Sequence, residues 1–373
     1  MIAERWLSEP SQPLVIFLTL QEKAPVPNPI DVYSRHAHYL EQYYNGQADK
    51  VIPYLNRIAK RLRLELTKTN TVTSQARIEK LLVFTEKMVS AELSGFTDEF
   101  SDQIEMFAES EATFTVNLLD EQPDIFNAVL PAPTQLNAAV AARPFNNRLL
   151  KDYLGSFSKD QARMVKDAVS MGFFEGKTTG EIVRGIIGTK SQNYKNGILN
   201  VSRTSAERMV RTALSHTSAV ARNKTFKDNS DLIPYYEWVS TLDGRTSSIC
   251  RSRDGKVWKV DKGPLPPAHL NCRSTTSPLF KSDVKVDGKK LIKLDQGGTR
   301  ASIDGQVSAD LNYNDWLKKQ SKSFQVDVLG KDKTELFRKG NITMDKFVND
   351  KGMMLTLDEL KVKYPTSWSK AEL

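Results

Sequence analysis

The chain has 373 residues but only two cysteines and four histidines. Cys250, His269 and Cys272 fall close together, His269 following Cys250 by 19 positions and Cys272 following His269 by 3. Thiolate and imidazole are the donors that zinc selects, and Asp243 or Asp254 is at hand to complete a tetrahedron. Neither arm is a Cys-x-x-Cys knuckle. A catalytic zinc of the deaminase kind needs a glutamate two positions after the histidine, and "PAHLNC" (267–272) has none there. A cysteine nucleophile with His269 as base lacks an evident orienting group or oxyanion loop. One disulfide is a poor use of two cysteines in a chain this long without secretory features. The residues favour a clasp over chemistry. Pro266 and Pro267 stiffen the loop, His269 hydrogen-bonds a turn, and Arg273 pairs with Asp243 or Asp254; a structural zinc is the second reading. No Gly-x-x-x-x-Gly-Lys-Ser/Thr loop occurs, which argues against an ATP motor.

These residues need elements to hold them. From residue 235, "YYEWVSTLDGRTSSICRSRDGKVWKV" is rich in aromatic and β-branched types, with turn signals at Asp243-Gly244 and Asp254-Gly255. The second predicts a two-residue hairpin joining Ile249–Arg253 to Lys256–Val260, with Arg273–Leu279 as a further strand. Ahead of the sheet, "TSAERMVRTALSHTSAVARNKTF" is the clearest helix. Thr204 and Glu207 fit a capping box, and His216 shares an apolar face with Met209, Ala213 and Val220, as a satisfied core histidine would.

Further upstream the apolar spacing is helical. Residues 32–68 read as two helices broken near Gly46 and Pro53, and 74–119 as one long helix. Residues 121–143, with Pro123, Pro131 and Pro133, read as a connector. Segments 147–157, 160–175 and 179–187 read as helices punctuated by Gly155, Gly176 and Gly188. After Lys281 the chain is polar and turn-rich through Gly305, then apolar enough for short helices. The prediction is an α+β fold, mostly helical: a helical unit over 1–145, a helix with a small antiparallel sheet over 146–284, and a mixed extension over 285–373.

Bulk properties narrow the function. The longest apolar stretch, Pro13–Leu20, is far short of the roughly 20 residues that span a bilayer, and no signal peptide is read at the start. The net charge of +8 divides into about −5 over residues 1–150 and about +13 over 151–373. The basic part would face an anionic partner, with Arg251, Arg253, Lys256, Lys259 and Lys281 as candidate contacts to DNA phosphates.

In order along the chain, Arg211-Thr212, Trp238, "TLDGRT" (241–246) with Asp243, Arg245 and Thr246, Cys250, Asp254-Gly255, Pro266-Pro267, His269 and Cys272-Arg273 resemble the Mu F-like head morphogenesis proteins of tailed double-stranded DNA phages. The chain departs from many of these at Ser247 and Ser274, where they carry cysteine. The likeness covers about 150–280, and the segment that follows also resembles an extension common in such proteins. It implies a minor capsid protein with no catalytic residues, inside the phage head at the portal vertex in several copies and made in the host cytoplasm. Its implied partners are the portal protein, the major capsid or scaffold protein, and double-stranded DNA held non-specifically, without a membrane. The rival readings are a metal-dependent enzyme acting on nucleic acid or protein, and a prophage toxin or effector.

Overall fold

The computed structural model describes residues 28–68, 74–122, 127–145, 147–287, 290–294 and 297–373. The apolar stretch Pro13–Leu20 and Pro123 of the connector lie outside the described residues; among these, no helix is long and apolar enough to cross a membrane. The fold is α+β and mostly helical, as expected.

Asn28 caps α1 (Pro29–Asp49) by accepting from the Ile30 amide, with Pro29 pre-set for a first helical turn. Pro53 sits at the start of α2 (Ile52–Lys68), so the expected break is there, but Gly46 is carried inside α1 without interruption. The long helix is α3 (Gln75–Asp120). Part of the expected connector is in fact helical: α4 (Pro133–Ala142) starts at a proline and buries Leu136 and Val140. Gly155 does not divide the next segment, because α5 (Leu150–Phe174) buries Leu154 and Phe157 on either side of it, and tertiary packing outweighs the weak helix propensity of one glycine. A capping box of Thr178 and Glu181 opens α6 (Thr179–Ile187).

The helix α7 (Ile198–Asp228) begins six residues before Thr204. The capping box expected there does not form: Thr204 donates to the Asn200 carbonyl within the helix, and Glu207 pairs with Arg203. α7 packs against α1, α3, α4, α5 and α6. Its middle, "TALSHTSAVARN" (212–223), is buried all round, and small side chains let the surrounding helices approach closely. One apolar core joins Leu40, Leu62, Leu93, Phe96, Val165 and Leu214, so packing is continuous across the expected boundary at 145/146. Each such fully buried side chain contributes on the order of 1.5–3 kcal/mol.

After α7 comes β1 (Tyr235–Val239), then α8 (Ser248–Arg253), β2 (Val257–Lys259) and β3 (Thr275–Leu279), the strands forming an antiparallel sheet in the order β2-β1-β3. The expected strand at Ile249–Arg253 is therefore a helical turn. The Ser247 hydroxyl accepts from the Cys250 amide and starts it, turning Cys250 and Ser252 inward. Gly255 (φ +77°) then lets the chain reverse into β2, which pairs with β1 rather than with its own predecessor.

The segment beyond Lys281 is more ordered than its polarity implied. It forms two hairpins, β4 (Val284–Asp287) with β5 (Lys290–Lys293) and β6 (Thr299–Ser302) with β7 (Gly305–Ser308). The short helices α9 (Tyr313–Lys319), α10 (Lys322–Leu329), α11 (Lys331–Arg338), α12 (Leu357–Lys363) and α13 (Pro365–Lys370) follow. They gather Tyr313, Trp316, Leu317, Leu336, Phe347 and Leu360 around Leu242 of the 240s loop.

Candidate functional site

The motif residues converge on the turn region beyond β1. Asp243 accepts both guanidinium nitrogens of Arg273, at 2.7 and 2.8 Å, together with the amides of Arg245 and Thr246 and the Thr246 hydroxyl. Burial works against its ionisation, but Arg273 and the Thr246 and Arg245 donors outweigh it and hold the carboxyl below the ordinary range. The Arg245 side chain is 85% exposed, 3.6 Å from Asp243. Thr246 also donates to the Thr241 carbonyl.

Asp254 lies deeper. It accepts from the Ser240 and Tyr313 amides and from both nitrogens of Arg300, at 3.0 and 3.1 Å, with the two side chains essentially sealed from solvent. Arg300 also donates to the Ser240 carbonyl. Asp243 and Asp254 are thus each committed to an arginine, and neither joins the metal-type cluster in the role the sequence offered them. Trp238, fully buried, donates to Ser240, and Ser240 in turn donates to the Cys250 carbonyl. Among the motif residues of α7, Arg211 pairs with Glu41 of α1, and Thr212 accepts from the Asn271 amide, tying the return loop, residues 260–274 between β2 and β3, to the helix. Pro267, joined to Pro266 by a cis peptide, is buried in that loop.

Cys250 from α8, His269 from the return loop and Cys272 ahead of β3 come together as a triad, their donor atoms within 4.8 Å of one another. The Cys250 sulphur is 3.3 Å from His269 Nε2 and 3.6 Å from the Cys272 sulphur. A hydrogen bond from Cys250 pulls the Cys272 thiol well below its ordinary range against the opposing effect of burial, with His269 adding to the drop. The same contact, with burial, pushes Cys250 well up. His269 is raised chiefly by its bond to Cys272.

The candidate DNA contacts divide. Arg251 donates to the Val328 and Gly244 carbonyls, and Arg253 lies over the Trp238 ring at 5.1 Å, so both guanidiniums are engaged within the fold. Lys256, Lys259 and Lys281 are exposed. Tyr235 faces Lys259 on one side and Leu279 on the other, which brings Lys259 and Lys281 to the same end of the sheet.

A second polar cluster escaped the sequence reading. Glu111 of α3 accepts from Ser218 and lies 2.7 Å from His36 of α1 and 3.5 Å from Arg222 of α7. Arg222 also donates to Thr275 and Thr276 of β3 and lies 4.2 Å from the Tyr33 ring centre, so one buried arginine joins three helices to the sheet. Its only sequence signal is a charge within an otherwise small, neutral run. A cleft of about 200 Å³ separates α1 from the sheet; on its walls Glu41, Arg273 and Arg300 are already paired with Arg211, Asp243 and Asp254.

A buried helix carrying a three-stranded sheet, locked at its turns by two arginine–carboxylate pairs and a Cys-His-Cys triad, defines a helix-and-sheet domain whose buried charges are spent on structure. Residues 163–277, under a third of the chain, match the model of the family described as Phage Mu protein F like protein, which supports the family resemblance over this part of the chain. The chain is also similar to a protein of Enterococcus faecalis (strain ATCC 700802 / V583), named NAD(+)--arginine ADP-ribosyltransferase EFV. The two are 28% identical over 157 residues, 38% of this chain and 29% of that protein. The chain thus spans less than a third of that relative's length. No solved structure matches it.

Proposed function

We propose that this protein is a minor component of a tailed-phage head that sits at the portal vertex and holds packaged double-stranded DNA through non-specific phosphate contacts. The observation that carries the reading is the Mu F-like match over residues 163–277. The charge division supports it: a basic portion is suited to DNA, and an acidic helical portion is left to meet portal, major capsid or scaffold protein, in several copies around the vertex. Exposed Lys256, Lys259 and Lys281 are the phosphate contacts of this reading. It assigns no catalytic step.

Two measurements test it. The full chain should retain duplex DNA with an affinity that falls steeply with salt, and Lys256→Glu/Lys259→Glu/Lys281→Glu should lower the slope of log K against log salt by up to about 3. Retention indifferent to salt, or none, removes the DNA part. Co-expressed portal protein should co-purify with the chain; its absence from the complex removes the portal part.

A further inference from the structure

We propose that Cys250, His269 and Cys272 bind one zinc ion, with the fourth coordination position open to a water molecule. The proposal is independent of the phage-head reading and rests on geometry. Zinc bonds sulphur at about 2.3 Å and imidazole nitrogen at about 2.0–2.1 Å. With those bond lengths, the observed separations of 3.6 Å between the sulphurs and 3.3 Å between the Cys250 sulphur and His269 Nε2 each subtend about 100° at a common metal, near the tetrahedral angle. The third pair, His269 and Cys272, closes the same triangle.

The histidine is already set in the required tautomer. Its Nδ1 lies 2.8 Å from the Leu270 carbonyl, which can only accept, so Nδ1 carries the proton and the Nε2 lone pair faces the sulphurs. This is the outer-sphere bond that metal-bound imidazoles ordinarily make. Both cysteines are buried, in a small apolar cluster with Trp238, so the two sulphurs are shielded from bulk water, while His269 is half-buried. Beside Cys250 and His269 lies a cavity of about 20 Å³, bordered also by Ser247, Asn271, Ser274 and the arginines Arg245 and Arg273, enough for one water with hydroxyl and amide partners. Binding would convert both thiols to thiolates and release their protons to solvent. The ion would cross-link α8 to the stretch 269–272 that leads into β3, two segments 19 or more positions apart in sequence.

The test is a titration of the fully reduced full-length chain with Co(II), whose tetrahedral thiolate complexes absorb in the visible and near ultraviolet. Expected is saturation at one equivalent, a thiolate charge-transfer band, displacement by one equivalent of Zn(II), and loss of the spectrum in Cys272→Ser. His269→Ala should weaken binding at least tenfold, because three protein ligands become two. The wild-type titration does not depend on how the variants fold. No saturable tetrahedral spectrum while both thiols assay as reduced overturns the site, as does a His269→Ala protein that is folded by circular dichroism and binds cobalt unchanged.

Discussion

At the residue scale, buried ionisable groups set how the protein responds to change. His216 is 1% exposed, lies 3.2 Å from the Val140 carbonyl and packs on Phe145. Burial is the main cause that lowers its pKa to about 4, from about 6.5 in an exposed chain, with Arg143 adding to it. Between these values the unfolded chain binds a proton that the folded one refuses. Its contribution is therefore fully present above about pH 6.5 and is lost as pH falls toward 4, a span worth on the order of 3 kcal/mol. Chemical denaturation of His216→Phe should show a flatter pH dependence across that window than wild type; identical slopes would contradict the assignment. Asp254 and Arg300 obey a different rule. Asp254→Asn leaves a buried guanidinium uncompensated and should cost about 3–5 kcal/mol in urea unfolding, whereas adding Arg300→Met should recover part of that loss.

At the element scale, Gly255 holds the reversal between α8 and β2 at φ +77°, and a Cβ there would stand 3.0 Å from Asn312. Gly255→Ala should therefore lower the unfolding free energy by at least about 1 kcal/mol, read as a shift in the urea midpoint with an unchanged slope. This turn also shows what the sequence could convey. Asp254-Gly255 was legible as a reversal, and Arg273–Leu279 as a strand, because turn residues and β-branched types act locally. That Ile249–Arg253 is helical was not legible, since a serine cap and two inward residues decide it, and both depend on packing from distant elements. The same holds for the site. The triad could be picked out by residue type, and the Asp243–Arg273 pair was one of two offered. Arg300 and Arg222 were not found, because the partners that bury each one include groups far off in sequence, Asp254 at 46 positions from Arg300 and Thr275 at 53 from Arg222.

At the scale of the whole molecule, the chain divides by charge and motif but not by packing. Leu40, Phe96 and Leu136 from the first 145 residues share a core with Leu154, Val165 and Leu214. Arg211 and Arg222 add ion pairs across the same boundary, to Glu41 and Glu111. Residues 146–284 expressed alone should consequently expose apolar helix faces, bind a hydrophobic dye, and lack the cooperative thermal transition of the full chain. A sharp, dye-free transition in that fragment would restore the boundary as a folding boundary. The helix α3 adds a constraint on history rather than stability. It runs unbroken for 46 residues, about 69 Å at 1.5 Å per residue, and touches α2, α4, α5 and α7 along the way. Inserting one residue mid-helix would turn everything beyond it by about 100°, sending one end's apolar face into water. Homologues of different length should therefore gain or lose residues here in near-whole numbers of turns, seven or eleven at a time, while the loops absorb single insertions freely.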